Sequence, residues 1–130
     1  MVEHSKIDVA RRGRILVVDD DRAVARVIVR ALRQHEVIPV ESAGDALTLI
    51  RSGAHFDVIL CDLMMPVMTG MDFHKELSDI APRQAEAVVF MTGGAFTTRA
   101  REFFDDVTNL RLEKPFDVAK LCATVHALLK

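Results

Sequence analysis

No run of apolar residues in this 130-residue chain approaches the roughly 18 that a membrane-crossing helix needs. The opening segment MVEHSKIDVARRG also lacks the apolar stretch of a secretory signal, so a cytoplasmic chain with no membrane partner is expected. Cysteine is scarce. Cys61 and Cys122 both fall inside apolar segments, which predicts two buried, reduced thiols acting as small hydrophobes. No Cys/His spacing resembles a zinc site, and the five histidines are scattered and read as incidental. The net charge of −2 offers no general attraction to nucleic acid or to an acidic membrane surface. What is present is an ordinary globular balance, 50% hydrophobic and 28% charged, in a chain long enough to bury one core unaided.

Short apolar runs alternate with helical patterns, the signature of a parallel sheet with crossover helices. Arg14–Val18, Val37–Val40, Val58–Cys61, Ala87–Met91 and Leu110–Glu113 read as five strands. Pro39 places the second strand at a sheet edge, and the VILC composition of the third predicts burial on both faces. Five helices are expected between and after them. Their apolar faces are Val24/Val27/Ile28/Ala31/Leu32, Ala43/Ala46/Leu47/Ile50, Phe73/Leu77/Ile80, Ala100/Phe103/Phe104/Val107 and Val118/Leu121/Cys122/Val125/Leu128/Leu129. Asp21 and Ser42 are expected N-caps, Gly53 follows the end of the second helix, and Pro82 closes the third. The pattern is a (βα)5 α/β domain. A flavodoxin-like three-layer sandwich with strand order 2-1-3-4-5 is the common solution for that count. It spans residues 14–130, with residues 1–13 as a tail or linker.

In such a sheet, ligands sit beyond the carboxyl ends of the strands. Those ends carry Asp19-Asp20-Asp21, Asp62, Thr92 followed by Gly93-Gly94, and Lys114-Pro115. Carboxylates gathered within a few ångströms resist joint ionisation, and a hard divalent cation removes the conflict. Mg²⁺ suits it, because it takes oxygen ligands and commonly binds through one or two carboxylates plus phosphate. Lys114 brings a compact positive charge, and Thr92 a hydroxyl for a phosphoryl oxygen. A carboxylate nucleophile, a metal cradle, a cation and a hydroxyl are the parts needed for phosphoryl transfer to Asp62. Each piece alone is weak; their joint order along the chain is specific.

These segments resemble the response-regulator receiver family of two-component phosphorelays, over roughly residues 14–130. ILVVDDD is similar to its acidic opening, VILCDLMMPVMTGMDF to its phosphoacceptor segment, VVFMTGG to its switch-hydroxyl segment and LEKPF to its lysine segment. The resemblance implies that Asp62 is the phosphoacceptor, served by Thr92 and Lys114. It implies that Asp19, Asp20, Asp62 and the main-chain carbonyl of Met64 hold Mg²⁺, and that the Lys114–Pro115 bond is cis. It also implies a histidine kinase or histidine-phosphotransfer domain as phosphodonor. A downstream protein would read the face formed by the fourth helix, fifth strand and last helix. The run GGAFTTRAREFFDDVTNLRLEKPF is most similar to receiver domains of hybrid sensor histidine kinases, so the domain is expected in such a kinase or as a single-domain regulator. Three positions depart from the family's pattern. Arg111 stands where many relatives carry an aromatic, Met64 where many carry a polar side chain, and two glycines follow Thr92 where one small residue is usual.

The rival readings are a Mg²⁺-dependent aspartate-nucleophile phosphatase, a flavodoxin-like cofactor binder and a pseudo-receiver scaffold. The phosphatase needs a second acid two residues past its nucleophile, and Met64 stands there; three acids replace the phosphate loop a flavin site requires; and all five site residues are present. Arg22, Arg26, Arg30 and Arg33 form a basic stripe on the first helix, either a solvated face or a docking edge for an acidic phosphodonor domain. Strand alternation places Arg111 on the outer surface, opposite Leu110 and Leu112, with an acid such as Glu113 or Asp105 in reach.

Overall fold

The computed structural model describes residues 12–94 and 97–129. Most of the expected tail therefore lies outside the described residues, as do Ala95 and Phe96 of the run compared with hybrid-kinase receivers. In chain order the elements are β1 (Arg14–Val18), α1 (Arg22–Ala31), β2 (Glu36–Val40), α2 (Ala43–Arg51), β3 (Val58–Asp62) and α3 (Gly70–Ile80). There follow α4 (Pro82–Glu86), β4 (Val88–Thr92), α5 (Thr98–Asp106), β5 (Arg111–Glu113) and α6 (Val118–Leu129). The five strands are all parallel in the order β2-β1-β3-β4-β5, as expected, with the Pro39 strand at one edge.

Strand alternation divides the core in two. Leu16, Val18, Ile59, Cys61 and Phe90 face α2, α3 and α5, while Ile15, Val17, Val58, Leu60 and Met91 face α1 and α6. Because helices cover both faces, the central strands are apolar throughout, and every residue from Ile15 to Val18 is fully buried. The helix ends are fixed locally. Asp21 caps α1 by accepting from the Ala23 and Val24 N–H groups, and Ser42 caps α2 by accepting from Asp45. Gly53, at φ +104°, stops α2: its N–H and that of Ala54 donate back to the Ile50 and Leu49 carbonyls.

Several expectations need correction. Pro82 does not merely close α3. That helix ends at Ile80, and Pro82 takes the first position of the extra turn α4, where its missing N–H costs nothing. This turn buries Gln84, whose amide accepts from the Phe56 N–H and donates to the Phe56 carbonyl, each at 2.8 Å, fixing the entry into β3. The buried stripe of α1 runs through Ala25, Ile28 and Leu32, leaving Val27 50% exposed. Ile80, Val118 and Leu128 likewise sit at exposed margins of their helices. Leu110 precedes β5 and is exposed, so only Leu112 opposes Arg111. Both thiols are free, but Cys122 is only half-buried.

At the amino end of the sheet, His35 is buried, and its Nδ1 accepts from the Gly13 N–H at 3.1 Å. The ring proton must then lie on Nε2, which faces His126 Nε2 at 3.2 Å. These two rings are not incidental; they tie α6 to the start of β1 and β2. Burial, His126 and Arg12 all hold the His35 pKa below the ordinary histidine value, and burial does the same to His74. The unfolded chain therefore takes up protons, near about pH 6.5, that the folded chain refuses. Stability from these rings is complete above that pH and is lost as pH falls through it toward the depressed folded values. In urea unfolding followed between about pH 5 and pH 7, His35→Gln should flatten part of this slope, and an unchanged slope would show that His35 does not contribute.

Candidate functional site

Parallel register brings the carboxyl ends of β1, β3, β4 and β5 to one rim, with Val18 beside Cys61, Asp62 beside Met91, and Thr92 beside Glu113. The residue after β1, Asp19, is fully buried, and its Oδ1 accepts from the Asp21 N–H at 2.9 Å. Its Oδ2 accepts from Lys114 Nζ at 3.0 Å, and the same ammonium stands 3.4 Å from Asp62 Oδ2. Asp20 is exposed at the mouth. Carboxylate oxygens of Asp19, Asp20 and Asp62 all lie within 4.8 Å of one another. The structure thus brings together all the acids and the lysine singled out above. Thr92 is also at the rim, 3% exposed, and its carbonyl accepts from the Lys114 N–H at 2.6 Å.

One ammonium among three carboxylates leaves a surplus of negative charge. Burial raises the Asp62 pKa, Lys114 opposes the rise, and the Asp19 charge adds to it. Burial disfavours the Lys114 ammonium, but the bonds and charges of Asp19 and Asp62 outweigh that and lift its pKa above the ordinary value. The lysine therefore stays charged. Three converging carboxylate oxygens with uncompensated charge fit a hard, oxygen-seeking divalent cation. The thiol of Cys61 beneath the site is pushed well up by burial and by the Asp62 and Asp19 charges, so it stays protonated and inert.

The loop after Asp62 is held against the rim. Met64 donates its N–H to Asp62 Oδ1 at 3.3 Å, so its N–H is the main-chain group that contacts Asp62, and its side chain points to solvent. Gly70 donates to the Leu63 carbonyl at 2.8 Å, and a Cβ there would stand 2.7 Å from the Asp62 carbonyl oxygen. Thr69 and Asp72 close a reciprocal capping box on α3. Between Asp62 and Thr69, Val67 adopts φ +71°, a strained conformation for a β-branched residue, with its side chain wholly exposed. The Lys114–Pro115 bond is cis, as the resemblance implied.

Two contacts around the rim were not legible beforehand. Arg99, in the first turn of α5, binds the Asp72 carboxylate, linking α5 to the first turn of α3 where the loop from Asp62 ends. That bond is the chief reason the Asp72 pKa lies below the usual carboxylate value. Nothing in the sequence marks this pair, which joins separate elements. Arg111 is exposed, as alternation required, and its guanidinium lies 4.5 Å from the centre of the Phe104 ring. Phe104 in turn packs edge-on to Phe90 and Phe103. The aromatic surface near β5 is therefore supplied by α5 and roofed by arginine.

With this geometry in view, similarity to known proteins is informative. The family model for the response regulator receiver domain matches residues 15–126. The chain is 32% identical over 117 residues to the two-component response regulator ORR5 of Oryza sativa subsp. japonica, covering 85% of this chain and 87% of that one. It is 31% identical over 126 residues to the sensor kinase CckA of Brucella abortus, covering 95% of this chain but 13% of the kinase. Among solved structures, the Vibrio cholerae chemotaxis protein CheY4 superposes with a TM-score of 0.78 at 26% identity, covering 91% of this chain and 99% of that one.

The Gly70 contacts are with backbone, which cannot swing aside. Gly70→Ala should destabilise the fold by roughly 1–3 kcal/mol through overpacking. In contrast, Gly44→Ala in α2, where a methyl meets nothing nearer than Ser42 Oγ at 3.8 Å, should be neutral or stabilising. Denaturant midpoints of the two variants check this; equal effects would mean the loop relaxes freely.

Proposed function

The chain belongs to the response regulator receiver domain family of two-component signalling, and from that membership we propose that it accepts a phosphoryl group on Asp62 from a phosphohistidine donor. The observation that carries this reading is the convergence of Asp19, Asp20 and Asp62 on one another, with Lys114 bridging two of them. An Asp62 oxygen attacks phosphorus, the bond from phosphorus to the donor imidazole nitrogen breaks, and an acyl phosphate remains on Asp62. Asp19, Asp20, Asp62 and the main-chain carbonyl of Met64 would hold Mg²⁺, which when bound neutralises charge on the carboxylates and the transferring group. Lys114, between Asp19 and Asp62, neutralises charge beside the transferring group, and Thr92 offers its hydroxyl to a phosphoryl oxygen.

The domain is a signalling module that promotes its own phosphorylation and dephosphorylation, not turnover of external esters. In keeping with this, Met64 brings no acid to the place where a phosphatase needs one. Its receiver fold extends over residues 14–130, preceded by a tail or linker. The donor is a histidine kinase or histidine-phosphotransfer domain, and the sensor-kinase relative supports a hybrid-kinase context as one setting. Among the described residues no helix is long and apolar enough to cross a membrane, in keeping with work in the cytoplasm. Phosphorylation adds close to two negative charges, which draw on Thr92 and Lys114. Because the Lys114 N–H is bonded to the Thr92 carbonyl, the loops after β4 and β5 move together. The α5–β5–α6 face, with Arg111 over Phe104, then presents the signal to a downstream protein.

Incubation with Mg²⁺ and acetyl phosphate should add one phosphoryl group, labile in base, and Asp62→Asn should abolish it. Intact-mass measurement reads both results. Undiminished phosphorylation of Asp62→Asn would overturn the assignment.

A further inference from the structure

We propose that the groove between α1 and the free edge of β2 docks an acidic amphipathic helix of a partner protein. The groove encloses about 840 Å³ and runs from beside Asp19 down to Arg33. Arg22, Arg26, Arg30 and Arg33 line one wall; the first three recur every four residues along α1, and Arg33 lies in the turn past its end. Arg22, Arg26 and Arg30 therefore form a column about 12 Å long, which Arg33 continues past the end of the helix. Arg22 is already engaged, its Nε 2.8 Å from Glu41 Oε2. Among the described residues no acid lies within ion-pair distance of Arg26, Arg30 or Arg33, and all three are exposed. Three open guanidinium forks on one line call for carboxylates repeating at helical spacing.

The other wall decides the shape of the occupant. Glu36 donates its N–H inward to the Gly13 carbonyl, and Val40 accepts inward from the Asp19 N–H. In a parallel strand both groups of a residue point the same way, so Val37 and Pro39 direct theirs to the free edge. Pro39 has no N–H to give, and an added strand would lose a bond at its centre. The occupant must therefore bind through side chains. Val29, Pro39 and Val40 supply an apolar strip beside the arginines, which matches the other face of an amphipathic helix. A nucleic acid would leave that strip unused and would find no aromatic ring in the lining to stack on. A second copy that met this groove with its own would set one arginine column against the other, which like-charge repulsion disfavours. Docking here requires neither Asp62 nor a metal, so it stands or falls apart from the phosphoacceptor reading.

The test uses the full chain, labelled for amide NMR, and a synthetic 18-residue helical peptide. The peptide carries glutamates at the spacing of the arginines, with leucines along the adjoining face. The expected result is binding that weakens as salt is raised, with shifts confined to residues 22–41. Affinity should fall at least about tenfold in Arg26→Glu/Arg30→Glu and be largely kept in Arg26→Lys/Arg30→Lys. Circular dichroism of both variants reports that the fold is intact. Equal binding of a scrambled peptide or of a short DNA duplex would overturn the proposal. So would shifts lying elsewhere, or sedimentation showing that the groove is filled by further copies of the chain.

Discussion

Lys114 stands between two carboxylates, 3.0 Å from Asp19 and 3.4 Å from Asp62, at a rim where strands from across the sheet converge. Asp19 is fully buried, and an unpaired charge there would be costly. The ammonium thus makes the acidic rim tolerable in the folded state. It does so only in part, because one positive charge faces three carboxylates. The remaining imbalance is what a bound cation would meet. The sheet order, the apolar central strands and the helices on both faces serve to hold these groups at fixed separation.

The same lysine connects the site to the surface. Its N–H is bonded to the Thr92 carbonyl, which ties the ends of β4 and β5 together beside Asp62. On the other side, the loop leaving Asp62 is tied to α5 through Asp72 and Arg99. Both routes end on the aromatic layer of Phe90, Phe103 and Phe104, beneath Arg111. An arginine at that position cannot be buried unpaired without a cost of several kcal/mol, so it stays outside, stacked on a ring. The strained Val67 turn sits in the loop at the head of the second route.

The strand order and most of the rim could be read from the sequence because both rest on local signals. Buried parallel strands announce themselves as apolar runs, and polar residues at their ends stand out against that background. The N-caps at Asp21 and Ser42 and the stop at Gly53 were legible for the same reason. What escaped depends on through-space partners or on exact phase. Pro82 could close one helix or open another, and only the packing of Gln84 on Phe56 selects the second. The Arg99–Asp72 and His35–His126 contacts join elements distant in the chain and leave no local trace. Val27 fits the helical period by spacing alone, yet a slight rotation of α1 puts Ala25 into the core in its place.

The central claim is that the three carboxylates form one metal site whose charge is incompletely met by Lys114. Calorimetric titration of the chain with Mg²⁺ tests it most directly. The account predicts a single equivalent bound at millimolar concentration or tighter, weakened at least about tenfold in Asp20→Asn, which removes the exposed carboxylate and leaves the Asp19–Lys114 bond in place. No binding, or binding indifferent to Asp20→Asn, would contradict it.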